Sequence, residues 1–584
     1  MSYDRMILRN TRMRPAVRNV RGALALLLVL SGCGVPADST TDTKQATETY
    51  ANGDQPNILF IVADDLGYTD LGIYGSEIET PNLDRLARDG VMFSNFYTAP
   101  TCSPTRAMLL SGVDNHPAGM GSMYQEIAPN QVGERGYEEH LHTRVATIAE
   151  LLGDAGYHTY MTGKWHLGYQ DDNSPYARGF ERSFASLAGG AGHFDMLPIV
   201  GPGKAPYRED RDLVNSLPQD FYSSRFFTRK MIDYIDSNRQ DGRPFFGYLA
   251  YTAVHWPLQA PEESVARFRG RYNDGYDALH SRRVARLKEL GLVRASTQSY
   301  PRLAEEPAWT DLTPDQQRRE ARMMEIYAAM VSDIDIFVGE LVAFLKSIDE
   351  FDNTFIVFMS DNGAEGHPVG TSIGAVNRWL EECCDNSYEN MGNRDSFLWY
   401  GASWARASVG PWRMFKGFTS EGGIRSPAFI HFPGFAGKQV NEAMVTVKDM
   451  MPTVLDLVGI DHPGQNYKGR EVVPMSGKSM LPMLRGHTAE THLPDEAIGW
   501  ELFGKTAIRQ GDWKIVQEPD DNFWTARDPV AESYRWKLFN LAEDPTELND
   551  VSGQYPLKLQ EMIQLWDEYE ERNGVIIPNH VMGY

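Results

Sequence analysis

The chain has 584 residues, 42% of them hydrophobic and 23% charged, so it can hold a large core with a smaller appended unit, and most of it should fold. Its formal charge of -23 excludes a general nucleic-acid binder, whose affinity rests on clustered Lys and Arg. An anionic substrate can be held only where cations gather locally.

At the N-terminus, Arg5, Arg9, Arg12, Arg14, Arg18 and Arg21 precede the apolar run 23–30 and then Leu30-Ser31-Gly32-Cys33. The run is too short to span a bilayer as a mature helix. Residues 1–33 read as a lipoprotein-type signal peptide, cleaved before Cys33, whose sulfur would carry the lipid; an ordinary cleaved signal is the alternative. Either reading exports the protein from a bacterial cell, and the first places it in the periplasm or cell envelope as a lipoprotein. Residues 34–55, rich in Ser, Thr, Asp, Gln and Ala, read as a flexible tether. With only four cysteines, stability must come from packing rather than from a disulfide framework. Cys383 and Cys384 are adjacent, either bridged or free.

A catalytic domain is expected over 56–489. The continuous apolar run 57–63 predicts a strand covered on both faces, ending in Asp64-Asp65. Thr80-Pro81 starts a helix that Gly90 stops, and a second helix is expected over 143–155. Strand-like runs follow at 245–251 and 354–359. The alternation predicts an α/β fold, a large mixed but mainly parallel sheet sandwiched by helices. Ligands gather beyond the carboxyl ends of such strands, which here carry Asp64-Asp65, His255 and Asp361-Asn362. Residues 490–584 read as a C-terminal α+β unit: short strands near 507–509, 513–516 and 536–540, then an amphipathic helix over 556–571.

Asp64, Asp65, Asp361 and Asn362 offer only oxygen ligands. That suits a hard cation, Ca2+ ahead of Mg2+, because Ca2+ accepts about six to eight oxygens in flexible geometry; zinc would want nitrogen or sulfur. In Cys102-Ser103-Pro104-Thr105-Arg106, Pro104 and the later Gly112 place Cys102 at a helix N-terminus, where free amides favour an anion. From the residues alone, Cys102 is either a buried small hydrophobe or a thiolate nucleophile.

Cys-Ser-Pro-Thr-Arg, with Leu109-Leu110-Ser111-Gly112 downstream, resembles the signature of type I sulfatases, in which the cysteine is oxidised to formylglycine. Asp64-Asp65, Gly163-Lys164-Trp165-His166-Leu167-Gly168, His255-Trp256-Pro257 and Ser360-Asp361-Asn362-Gly363 match in the family's order, as do Trp500-Glu501-Leu502-Phe503 and Asp544-Pro545-Thr546-Glu547. The resemblance is to bacterial arylsulfatases and implies an alkaline-phosphatase-like fold. It implies that Cys102, as a hydrated formylglycine, joins Asp64, Asp65, Asp361 and Asn362 on calcium and attacks sulfur. Arg106 would hold the nucleophile, Lys164 and Lys416 would clamp sulfate oxygens, and His255 would protonate the leaving alcohol or phenol. His166 would then take a proton from the second hydroxyl, expelling the covalently held sulfate. The implied partners are a sulfate monoester, small or glycan, and a formylglycine-generating enzyme. The alternatives are a phosphonate monoester or phosphodiester hydrolase with the same nucleophile, or a non-catalytic calcium-binding lipoprotein. Residues 366–411 either line the substrate entrance or form a peripheral insertion.

Overall fold

Along Asn57–Ala63 every residue is buried, because the strand has a core on each side: Leu59, Ile61 and Ala63 enter one, and Ile58, Phe60 and Val62 the other. This is a computed structural model, and it describes residues 55–367, 376–435, 440–519 and 534–579. The expected signal peptide with Cys33, and the tether apart from Gln55, lie outside the described residues.

Among the described residues the central sheet has ten strands. Their spatial order is Val440–Asn441, Val91–Phe93, Ala428–His431, Thr354–Ser360, Asn57–Ala63, Phe245–Ala250, His158–Lys164, Arg182–Ser186, Tyr207–Glu209 and Asp212–Val214. The five strands from Thr354–Ser360 to Arg182–Ser186 are parallel throughout; antiparallel pairs flank them. Helices Pro81–Arg88, Ser223–Asn238 and Pro314–Ser347 fill one core, and Cys102–Ser111, Ile148–Asp154 and Met450–Val458 the other. This is the expected helix–sheet–helix sandwich, with a mixed, mainly parallel sheet.

Some element boundaries need correction. The helix expected from 143 begins at Ile148, because Thr147 accepts from the Glu150 amide while Glu150 caps back onto Thr147. The strand expected to reach Tyr251 ends at Ala250. The last helix runs past Glu571 to Asn573, where Gly574 caps it at φ 67°.

Near the C-terminus the structure adds a strand the sequence reading did not assign, Ala497–Leu502, paired antiparallel with Lys505–Gln510. Trp513–Gln517 and Lys537–Asn540 complete a four-stranded sheet. One face packs Ile508, Ile515 and Leu538 against Met562, Trp566 and Tyr569 of Pro556–Asn573. The other packs Trp500, Ala507, Val516 and Phe539 against Tyr97 and Ile424 of the larger layer.

Candidate active site

Four neighbouring parallel strands end in line. Ser360 lies opposite Ala63, Val62 opposite Ala250, and Ala250 opposite Gly163. The segments that leave this edge therefore carry Asp361-Asn362, Asp64-Asp65, His255, Lys164 and His166 from one side of the sheet, as the polarity of a parallel sheet dictates. Gly163 permits the close approach: its φ is 109°, and a Cβ there would lie 1.7 Å from the Ala250 carbonyl oxygen. Asp65 and His166 both hold left-handed backbone, at φ 61° and 55°. That is an uncommon state for side-chain-bearing residues, stabilised only by its surroundings.

Facing these strand ends is the helix Cys102–Ser111, entered through extended Thr101 and closed by Gly112 at φ 65°. Cys102 and Arg106 lie one turn apart and so share a face. The Cys102 thiol, 1% exposed, donates to Asp64 Oδ1 at 3.3 Å and to Asp65 Oδ1 at 3.7 Å. Arg106 donates from Nε to Asp361 Oδ2 at 2.9 Å and from Nη1 to the Lys164 carbonyl at 2.9 Å. Lys164 Nζ bridges both Asp64 oxygens at 2.8 and 2.7 Å. Lys416 Nζ reaches Asp65 Oδ2 at 3.0 Å, and His255 Nε2 lies 3.6 Å from the same oxygen.

Ligating atoms of Asp64, Asp65, Cys102 and Asp361 all lie within 4.8 Å of one another, every residue buried. Beside them Asn362 Nδ2 donates to Asp65 Oδ1 at 2.7 Å, while Asn362 Oδ1 is buried with no hydrogen-bond partner among the described residues. Burial pushes Asp64 up to about 8 against the pull of Lys164, and raises Asp65 against Lys416. A cation would relieve both the carboxylate crowding and the orphaned acceptor, so these residues fit a hard metal ion.

The two histidines are neutral for a common reason. Burial first, then Lys164, holds His166 well below its usual range; burial, then Lys416 and Lys164, does the same to His255. His255 Nδ1 lies 2.7 Å from the Trp256 carbonyl, an acceptor only, so Nδ1 carries the proton and Nε2 faces the carboxylates. His166 Nδ1 has no hydrogen-bond partner among the described residues. Burial raises the Cys102 thiol well above its ordinary value, with Asp361 adding to the rise, so the residue as encoded is no thiolate nucleophile.

One member of the cluster was missing from the sequence reading. Glu365 Oε2 pairs with Lys416 Nζ at 2.9 Å, and its other oxygen lies 2.6 Å from His367 Nδ1. Lys416 holds this carboxyl well below the usual range despite burial. The available signal was position, since Glu365 follows Asn362 by three residues in the same strand-end loop. The Lys416 loop is braced from the C-terminal sheet: Lys505 Nζ donates to the Gly417 carbonyl at 2.6 Å, and Glu518 accepts from Thr419 N at 2.9 Å. Cys102, Arg106, Lys164, His255 and Lys416 thus gather around Asp64, Asp65, Asp361 and Asn362, and His166 lies where the charges of Lys164, Arg106 and Lys416 act on it. Trp165 is buried beside them, donating to the Asn173 carbonyl at 2.9 Å.

Comparison with known proteins matches this architecture. The sulfatase family model matches residues 56–460, and a model described as N-sulphoglucosamine sulphohydrolase, C-terminal, matches 410–572. The chain is 40% identical to an arylsulfatase of Klebsiella aerogenes over 74% of its length and 92% of that protein's. It is 42% identical to an uncharacterised sulfatase of Schizosaccharomyces pombe, over 91% of this chain and 96% of that one. Among solved structures, Ps i-CgsB in complex with k-i-k-neocarrahexaose superposes with a TM-score of 0.62 at 27% identity, covering 90% of this chain and 95% of that one. Sulfatases of this family use a metal ion and a formylglycine, and the buried oxygen donors around Cys102 are residues that could hold the metal. The chain belongs to the sulfatase family and is a sulfatase, an enzyme of sulfate ester hydrolysis.

Proposed function

We propose that the protein hydrolyses aryl sulfate monoesters, with the side chain of residue 102, oxidised from cysteine to formylglycine and hydrated, as the nucleophile. The observation that carries this reading is the placing of buried Cys102 within hydrogen-bond reach of Asp64 and Asp65, with Lys164 and Lys416 each paired to one of those carboxylates.

Charge supports a sulfate over a phosphate monoester. Asp64, Asp65, Asp361 and Glu365 face Lys164, Arg106 and Lys416, leaving one net negative charge if all are ionised. A divalent ion reverses that to one net positive charge, which the single charge of a sulfate monoester neutralises; a phosphate dianion would overshoot. Calcium, when bound by Asp64, Asp65, Asp361 and Asn362, supplies the positive charge that acidifies a neighbouring hydroxyl and polarises sulfate oxygens.

Each residue then has one task. Arg106 fixes Asp361 and lies beside the nucleophile. Lys164 and Lys416 meet the charge that builds on sulfate oxygens in the transition state. As one hydrate hydroxyl bonds to sulfur it passes its proton to the Asp64–Asp65 carboxylate pair beside residue 102, the ester S–O bond breaks, and His255 gives a proton to the departing phenol oxygen. The anionic sulfate between the two lysines favours the protonated form of His255 that this needs. His166 takes the proton of the second hydroxyl; the aldehyde reforms, its C–O bond to sulfate breaks, and water restores the hydrate. Glu365 keeps an anionic partner on Lys416 when Asp65 turns to the metal.

Purified enzyme should release sulfate from an aryl sulfate faster than it cleaves matched phosphate and phosphonate esters, and the reverse ranking sinks the assignment. Mass spectrometry of the peptide carrying residue 102 should show the aldehyde; a thiol in active enzyme would do the same damage. Maturation by a formylglycine-generating enzyme, export and lipid attachment at Cys33 belong to this proposal, supported by the two sequence motifs.

A further inference from the structure

Residues 378–399 build a small apolar cluster separate from the two main cores, in which Leu380 and Phe397 are buried and Trp379, Trp399 and the Cys383–Cys384 disulfide are partly exposed. Two residues from elsewhere join it, Leu197 and Trp256. Through Trp256 the cluster reaches the site: its ring stands 4.5 Å from the His255 ring and 5.7 Å from Phe397, which in turn meets Trp379 edge-on at 5.5 Å. His255 thus has Nε2 beside Asp65 and its ring against this wall.

The approach of the second chain segment depends on two glycines. A Cβ on Gly189 would come within 2.9 Å of the His166 ring, and one on Gly190 within 3.3 Å of His255 Nδ1 and 3.0 Å of Ile199. Lacking side chains there, the loop passes against both imidazoles and delivers Leu197 to the cluster.

We propose that Trp256, Trp379, Trp399, Leu197 and the Cys383–Cys384 disulfide form a subsite that receives the aromatic ring of the leaving group, selecting flat apolar phenols over sugar alcohols. The proposal rests on the sulfatase reading above, since the group beside His255 is the one that departs. Within the cluster the side chains offer carbon and sulfur surface, and indole N–H groups are their strongest donors; bridging the thiols removes two more. A sugar ring would bring several hydroxyls that this wall leaves unpaired, each a loss on desolvation. An aryl ring loses nothing of the kind and gains edge or face contacts with the indoles. Trp256 Nε1, buried and without a hydrogen-bond partner among the described residues, suits one polar ring substituent.

The test uses the full chain and the variant Trp379→Ala. With the phenol 4-methylumbelliferone as probe, followed by fluorescence, binding should weaken about 10-fold. kcat/KM for its sulfate ester should fall by about the same factor, while that for a hexose 6-sulfate changes less than about 2-fold. Unchanged binding of the phenol, or equal losses on both esters, overturns the subsite. Should Trp379→Ala not fold, Trp399→Ala gives the same readout. The phenol binds without chemistry, so the two readings fail separately. Binding that responds to Trp379→Ala with no sulfate released from any ester sinks the sulfatase reading alone. Turnover indifferent to the variants sinks the subsite alone.

Discussion

The two walls that meet at His255 are built by opposite means. On one side, charged and metal-type side chains sit at the ends of four adjacent parallel strands, where neighbouring backbones fix each position to within a residue. On the other, indoles, a leucine and a disulfide come from the helix Val376–Cys383 and from long connections, and are held by contact with one another. The first wall should tolerate almost no change, because each buried charge balances another. The second should yield gradually, since apolar contacts are many and individually small.

The largest test of that contrast is Cys102→Ala. It should lower sulfate release by more than about 1,000-fold, with the melting temperature within about 5 °C of the parent; retained turnover would remove the nucleophile from the strand-end wall. Lys416→Ala comes next, with kcat falling about 100- to 1,000-fold and a clear drop in denaturant midpoint, because Asp65 and Glu365 lose their shared cation. Glu365→Gln separates placement from charge. It leaves Lys416 in reach of Asp65 and should reduce kcat about 10-fold with KM nearly constant, and a pure KM effect would argue against a positioning role. Adding Ca2+ to chelator-stripped protein should raise the melting temperature by a few degrees, and Asp361→Asn should abolish the rise; a rise that survives places the ion elsewhere.

The smallest effect lies outside both walls. His116 bridges Asp114 Oδ1 at 3.1 Å and Glu501 Oε2 at 2.9 Å. Burial alone would lower its pKa, but the two carboxylates outweigh it and push it up to about 9 from 6.5. Its folded value is the higher one, so this stability, about 3 kcal/mol at most, is complete below pH 6.5 and lost as pH rises through 9. Denaturant unfolding between pH 6 and 10 should show that loss, and His116→Gln should flatten it.

Most of the strand-end wall was legible in the amino-acid order. Continuous apolar runs ended in Asp64-Asp65 and Asp361-Asn362, and parallel strands must present their ends together. Proline and glycine around Cys102 marked the helix that carries it. Glu365 escaped because its partner Lys416 is distant in sequence and a single glutamate in a loop has no period to betray it. The aromatic wall was legible only in part. Trp379, Leu380 and Cys383 recur at the spacing of the helix Val376–Cys383 that carries them, but nothing local says that Phe397 folds back on Trp256. The start of the helix at Ile148, five residues later than expected, is also written in the sequence, since Thr147 and Glu150 spell out a capping box.

The bond from Lys505 to the Gly417 carbonyl joins residues 88 apart in the chain. During synthesis, the clamp proposed for Lys416 is therefore left unsupported until the strand carrying Lys505 has emerged and docked. A chain cut short before that strand would keep the helix carrying Cys102 and its acidic strand ends yet, on the proposed mechanism, lack a steady grip on the anion, so full anion affinity would become a property of the finished polypeptide.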